Sequence, residues 1–239
     1  MAEKSFGQVG MALVETLMAL PLLVLFACLW VQVLWLFWAG QTLAVSTSYA
    51  LRAGALQHGE RPAIERTLAA GMATIDPAVL NDLDGNAEDK FKLHDRQSAH
   101  LVAAARQQLH LKWAARVQIR HATPLQLRKF GVQRRVRGAL HWVMPNDHLE
   151  ARALQFTAEQ QQDWLLAQLL ELEVWWCLPL QIPLAAQLLA GISKWGASPA
   201  QQFCNARAAI AQTYYWGLTY RVEGPMLSDL IGSQVSSRG

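Results

Sequence analysis

Between Met11 and Ala39 the chain is apolar at almost every position, with Glu15, Thr16 and Gln32 as the clearly polar exceptions. As an α-helix this stretch is roughly 43 Å long, more than the ~30 Å hydrocarbon core of a bilayer. The segment from Leu17 to Ala39 is by itself long enough to cross. A secretory signal peptide has an apolar region of about 7–15 residues and a small-residue cleavage site. This run is about twice that length, so it reads as a retained single span. Trp30, Trp35 and Trp38 gather at its distal end, where amphipathic rings favour the membrane interface. Lys4 precedes the span and Arg52 is the first basic residue beyond it, which favours a cytoplasmic N-terminus.

An ionisable group in such a segment costs roughly 2.5–3.5 kcal/mol on insertion scales, which makes Glu15 a candidate functional residue. It stands five positions after Gly10. Pro21 lies farther along the same run, where it removes a backbone hydrogen bond and permits a kink.

The remaining sequence alternates helical and strand-like patterns. The helix is expected to continue past the membrane through Gln41–Gln57, with Gly54 and Gly59 as places where it weakens or stops. A short helix follows from Arg61-Pro62 to about Gly71. Residues 73–97 are polar punctuation, and a helix is expected over Ser98–His110. Strand-like material occupies Ala115–Ala122 and Val132–Met144. Thr157-Ala-Glu-Gln160 has the form of a capping box before a helix at about 158–171. Leu172–Ile182 reads as a buried strand and Pro183–Trp195 as a short apolar helix or irregular cap. Ser198-Pro199 opens another helix, Tyr214–Glu223 a strand, and a mobile tail is expected from Ser228. Val174–Ile192 is apolar enough to raise a second span. Pro179, Pro183, Gln181 and Gln187 place it in a folded domain instead. The expected fold class is α+β: a long N-terminal transmembrane helix extending into a globular domain with an antiparallel sheet and several short helices.

Chemistry-bearing clusters are few. Asp82, Asp84, Asn86 and Glu88 alternate like cation ligands, yet Gly85 does not fit the EF-hand template. His94 and His100, and His141 and His148, lack a zinc-like partner set. No serine or cysteine occupies a nucleophile motif. No catalytic residue, metal site or cofactor is therefore expected, and the chain is not read as an enzyme. Arg96 to Asn146 contains no acidic residue but carries Arg96, Arg106, Lys112, Arg116, Arg120, Arg128, Lys129, Arg134, Arg135 and Arg137. The run is read as solvated strand faces pairing with the acidic 76–95 region. No nucleic-acid-binding motif accompanies it, so a nucleic acid is not an expected partner. Cys28 lies in the span as a packing residue. Cys177 and Cys204 leave two readings open, a disulfide in an oxidising compartment or two small buried hydrophobes.

The segment Gly10-Met11-Ala12-Leu13-Val14-Glu15-Thr16-Leu17-Met18-Ala19-Leu20-Pro21-Leu22-Leu23 resembles the N-terminus of TadE-like pseudopilins. These belong to tight-adherence (Tad, or Flp) pilus systems within the type IV pilin superfamily. Ala50-Leu51-Arg52-Ala53-Gly54-Ala55 is similar to the alanine-rich segment that follows the span in that family, so the resemblance covers roughly residues 7–58. Leu172–Leu184 shares the family's strand-then-proline character more weakly. Thr16 departs from the family, which often has an aromatic residue there.

The resemblance implies cleavage by a prepilin peptidase between Gly10 and Met11. The implied layout is a leader at 1–10, a pilin-like transmembrane helix at 11–58 and a periplasmic α+β domain at 59–239. Glu15 would neutralise the new amine at Met11, its own or a neighbour's, when helices pack into a filament, with Pro21 shaping the rod. The implied partners are the peptidase, other pilin or pseudopilin subunits, an inner-membrane assembly platform and membrane lipid. The implied location is the bacterial inner membrane, single-pass, with incorporation in an extracellular pilus. Alternatives are a signal-anchored periplasmic binding protein or enzyme, and a pseudopilin of a type II secretion system.

Overall fold

One helix, α1 (Gly7–Leu56), takes in the entire apolar run and continues through the Ala/Ser/Thr-rich stretch beyond it. In the computed structural model the described residues are 7–76, 92–193 and 195–232, the side chains of 7–16 and 92–97 excepted. Helix α1 passes through Gly54 and ends where His58 and Gly59 both take positive φ, 57° and 77°. The Gly59 N–H then donates to the Gly54 carbonyl at 2.9 Å. That six-to-one bond satisfies a carbonyl the helix end would otherwise orphan.

Helix α2 (Arg61–Met72) follows, with Pro62 in its first turn, and a 3-10 turn covers Ala73–Ile75. Helix α3 (Lys92–Ala114) runs directly into β1 (Ala115–Arg120). Next come α4 (Pro124–Phe130), β2 (Val132–Val136), β3 (Ala139–Met144), α5 (Leu149–Ala153) and α6 (Ala158–Ala167). The chain continues with β4 (Leu169–Pro179), α7 (Pro183–Ser193), α8 (Pro199–Ala211), β5 (Tyr215–Pro225) and β6 (Leu230–Ile231). The fold is α+β. Among the described residues its strands form two three-stranded sheets, ordered β1-β4-β5 and β2-β3-β6.

The chain divides into two compact units, one of residues 1–40 with 177–217, the other of 41–176 with 218–239. In the second unit, the distal part of α1 lies close against α2 because glycine stands on both helices. A Cβ at Gly54 would fall 2.6 Å from Ile64 Cγ1, and one at Gly71 would collide with Ser46. Ile64, Leu68 and Met72 of α2 and Leu43 of α1 are fully buried. Strand β4 buries Leu170, Leu172, Val174 and Trp176 in strict alternation, the period of a strand with one covered face. It pairs antiparallel with β1, placing Val117 opposite Val174 and Arg120 opposite Glu171. A second core gathers Phe130, Phe156 and Trp164, with ring centroids 5.0–5.7 Å apart.

Several sequence expectations shift. The helix expected at 158–171 stops at Ala167, since period-two burial claims residues from Leu169 onward for β4. The strand-like stretch 132–144 is a hairpin, turned by Arg137 and Gly138 at φ 51° and 87°. Positive φ at both turn residues matches the twist of paired strands. The helix expected at 98–110 extends over Lys92–Ala114. The apolar stretch 174–192 is shared between β4 and α7. The tail expected from Ser228 is anchored there: Ser228 Oγ donates to the Ala55 carbonyl at 2.7 Å, and Leu230 and Ile231 pair with Met144 and Val143.

The first unit contains the N-terminal part of α1, the end of β4, helices α7 and α8, and the start of β5. Its charged residues are Glu3, Lys4, Glu15, Lys194 and Arg207. The second unit carries all the others.

Candidate functional site

The apolar side chains of α1 are exposed throughout Leu17–Val24, Leu23 at 67%, and beyond it Phe26 is exposed at 59% and Trp30 at 55%. Leaving one such side chain in water forgoes about 1.5–3 kcal/mol relative to burial. Contiguous apolar surface on this scale marks a membrane or protein contact. Leu17–Leu56 is long and apolar enough to cross a membrane.

Toward Gly40 one face becomes covered. Leu25, Cys28, Leu29, Gln32, Trp35, Leu36 and Ala39 are buried or half-buried, at the i, i+3, i+4, i+7 spacing of a single helix face. Gln32 is 1% exposed, and its Oε1 accepts a hydrogen bond from the Ile182 backbone N–H at 3.1 Å. Its Nε2 has no hydrogen-bond partner among the described residues, nor has Trp35 Nε1. The Trp35 and Trp38 rings meet edge-to-face, 5.2 Å apart. Gln32 is a buried, hydrogen-bonded position that sequence reasoning passed over. Its signal was a lone amide within an apolar run.

Gly10, Met11 and Glu15 all lie within helical backbone of α1, and their side chains fall outside the described ones. Met11 and Glu15 are one helical turn apart. Pro21 is exposed, and α1 continues through it although its missing N–H leaves the Leu17 carbonyl without its helical donor.

Cys177, near the end of β4, is bonded to Cys204 of α8, with Cα atoms 5.3 Å apart. Both are fully buried, while Cys28 on α1 is a half-buried free thiol. Gln201 of α8 organises the same region. Its Oε1 accepts from the Gly217 N–H at 2.7 Å and its Nε2 donates to the Tyr215 carbonyl at 3.1 Å.

Of the acidic 76–95 stretch expected to pair with the basic run, Asp76 alone has a described side chain; the other acidic side chains lie outside the described residues. Arg106 pairs with buried Asp76 at 2.8 Å. Arg120 instead pairs with Glu171, Lys129 with Asp163 and Arg137 with Glu60. Arg134 bridges Asp147 at 2.6 Å and Asp229 at 2.9 Å. Its hydrogen bond holds the Asp147 carboxyl below the usual aspartate value, against the opposing effect of desolvation and with help from the charge of Arg152. Arg116 lies over the Trp175 ring. The linear sequence hid these pairings because sheet register and the return of the C-terminal segment create them.

Asp82, Asp84, Asn86 and Glu88 lie outside the described residues, as does His94 by its side chain. Among the described residues no group of three or more His, Cys, Asp or Glu is placed to hold a metal ion. A groove of about 480 Å³ between α4 and β3 has Arg128 and His141 as its ionisable lining groups. No family model, curated protein or solved structure matches the chain.

Proposed function

We propose that this chain is a non-catalytic minor pseudopilin of a Tad-type pilus or secretion system, inserted in the bacterial inner membrane by α1. Its leader is residues 1–10, its pilin-like helix 11–58, and its periplasmic α+β domain 59–239. The observation that carries the reading is the unbroken helix Gly7–Leu56. It holds the Gly10-Met11 junction and Glu15 in its first turns and exposes apolar side chains through the span. A covalent bond between Cys177 and Cys204 suits an exported, oxidising location for the distal domain.

In this mechanism a prepilin peptidase approaches the backbone at Gly10, where no side chain obstructs it, and cleaves before Met11. The new amine lies one turn from Glu15. Pairing of the two charges in low dielectric offsets their separate desolvation costs and fixes axial register against neighbouring helices. The covered face of α1 supports its own domain, while the exposed face first meets lipid and then other subunits.

Mass spectrometry of the mature N-terminus, in cells with active prepilin peptidase, tests the reading. The expected first residue is Met11. A chain still beginning at residue 1 or 2 rejects it.

A further inference from the structure

We infer that α7 and the Trp195 turn form a second membrane-contacting element, seated in the outer part of the bilayer beside α1. This rests on the reading of α1 as a membrane span. Counting from Leu17, a hydrocarbon core of ~30 Å takes up roughly 20 helical residues, to about Leu36. Gln32 falls within it. The Ile182 N–H bonded to Gln32 Oε1 at 3.1 Å therefore begins α7 at acyl depth.

The composition of this segment fits that depth. From Cys177 to Ala206 the one charged residue is Lys194. Helix α7 buries Ala185, Ala186 and Ser193 and leaves Leu184, Leu188 and Ile192 exposed, spaced four apart on the opposite face. Trp195, in the turn after α7, is 94% exposed. A short helix with one apolar face lying in the interface buries that face about 5–10 Å into the headgroup–acyl boundary. Tryptophan favours the same zone. With Trp30, Trp35 and Trp38 at this end of the span, Trp195 adds a ring from a distant part of the sequence. The occupant of the α7 face is phospholipid, because the hydrogen bond to Gln32 ties this helix to the part of α1 that lipid surrounds.

The test uses the full chain with Cys28→Ala, oxidised at Cys177–Cys204, in phosphatidylcholine–phosphatidylglycerol vesicles. An environment-sensitive fluorophore is attached singly at Leu188→Cys, Ile192→Cys, Leu23→Cys or Leu154→Cys. All four positions are exposed, and Leu154 belongs to the second unit. Labels at 188 and 192 are expected to shift to the blue and lose emission when lipids carry doxyl quenchers, as at 23, while 154 does neither. Quenching at 23 without quenching at 188 and 192 overturns the inference and leaves the anchor intact. Absence of quenching at 23, 188 and 192 overturns both. Equal quenching at 154 signals general adsorption and also overturns the inference. The two α7 positions guard against local damage by either substitution.

Discussion

Gln32 and Ile182 are joined by a hydrogen bond that spans 150 residues of sequence, from a side-chain amide in the apolar helix to a backbone N–H just before α7. Replacing Gln32 by leucine leaves that N–H without its acceptor, at a cost of about 1–3 kcal/mol. Thermal unfolding in detergent should show a lower midpoint for Gln32→Leu. An unchanged midpoint would mean that the bond contributes nothing to holding α7.

Glu15→Ala separates insertion from assembly. Removing a charge from the apolar segment makes membrane insertion easier, by up to roughly 2.5–3.5 kcal/mol on insertion scales. If the proposed pseudopilin role holds, piliation should nevertheless fall, because the Met11 amine loses its partner. Membrane fractionation together with counts of surface pili checks this, and normal piliation argues against the assembly role.

Cys204→Ser opens a covalent loop with a sequence separation of 27. Chain-entropy arguments put the lost stability at about 3.5 kcal/mol. Urea unfolding monitored by tryptophan fluorescence should show a matching drop, and reductant should reproduce it in the parent protein. Equal stability with and without reductant would refute the estimate.

Gly217 permits a close approach that no side chain tolerates. A Cβ there would sit 2.9 Å from the Gln201 N and Cα atoms, which are backbone and cannot swing aside. Gly217→Ala should therefore destabilise the first unit by about 1–3 kcal/mol. The Tyr215–Gln201–Gly217 bonds should lose hydrogen-exchange protection. Unaltered exchange would show that the backbone relaxes freely.

Asp147 should give the second unit a small sensitivity to acid. Its folded pKa lies below the ordinary value of 3.8, chiefly through its hydrogen bond with Arg134. The carboxylate's contribution is thus complete above the unfolded value and disappears as pH falls through the folded one. Its partial exposure keeps the contribution small. Asp147→Asn should flatten the acid limb of a stability-versus-pH curve measured by urea unfolding. An unchanged limb would place the acid response on other groups.

Local signals read well from sequence where the chain carries its own punctuation. The long apolar helix, Pro62 in the first turn of α2, and Ser198 before α8 are one-dimensional marks. In the last of these, the Ser198 hydroxyl accepts from the Gln201 N–H at 3.2 Å. The α+β class was legible from the alternation of helical and strand-like stretches. The end of α6 was not, because Leu169 and Leu172 satisfy a helical face and a strand face equally well. Arg137 gave no warning of its positive φ. The anchoring of Ser228 depends on Ala55, far away in sequence, and the importance of Gln32 depends on Ile182. In the candidate site the Gly10–Glu15 spacing was visible, while the covered face of α1 required tertiary contacts to appear.

The bond between Gln32 and Ile182 also sets an order of events in biogenesis. At roughly 5–20 residues per second, Ile182 leaves the ribosome about 8–30 s after Gln32. For that interval a buried-to-be amide waits in the newly made helix without its acceptor role fulfilled. Residues 177–217 must be synthesised before the first unit can close. Agents that bind exposed amides or apolar helices during synthesis have their longest opportunity here, and premature release of the chain would leave α1 made but unclad.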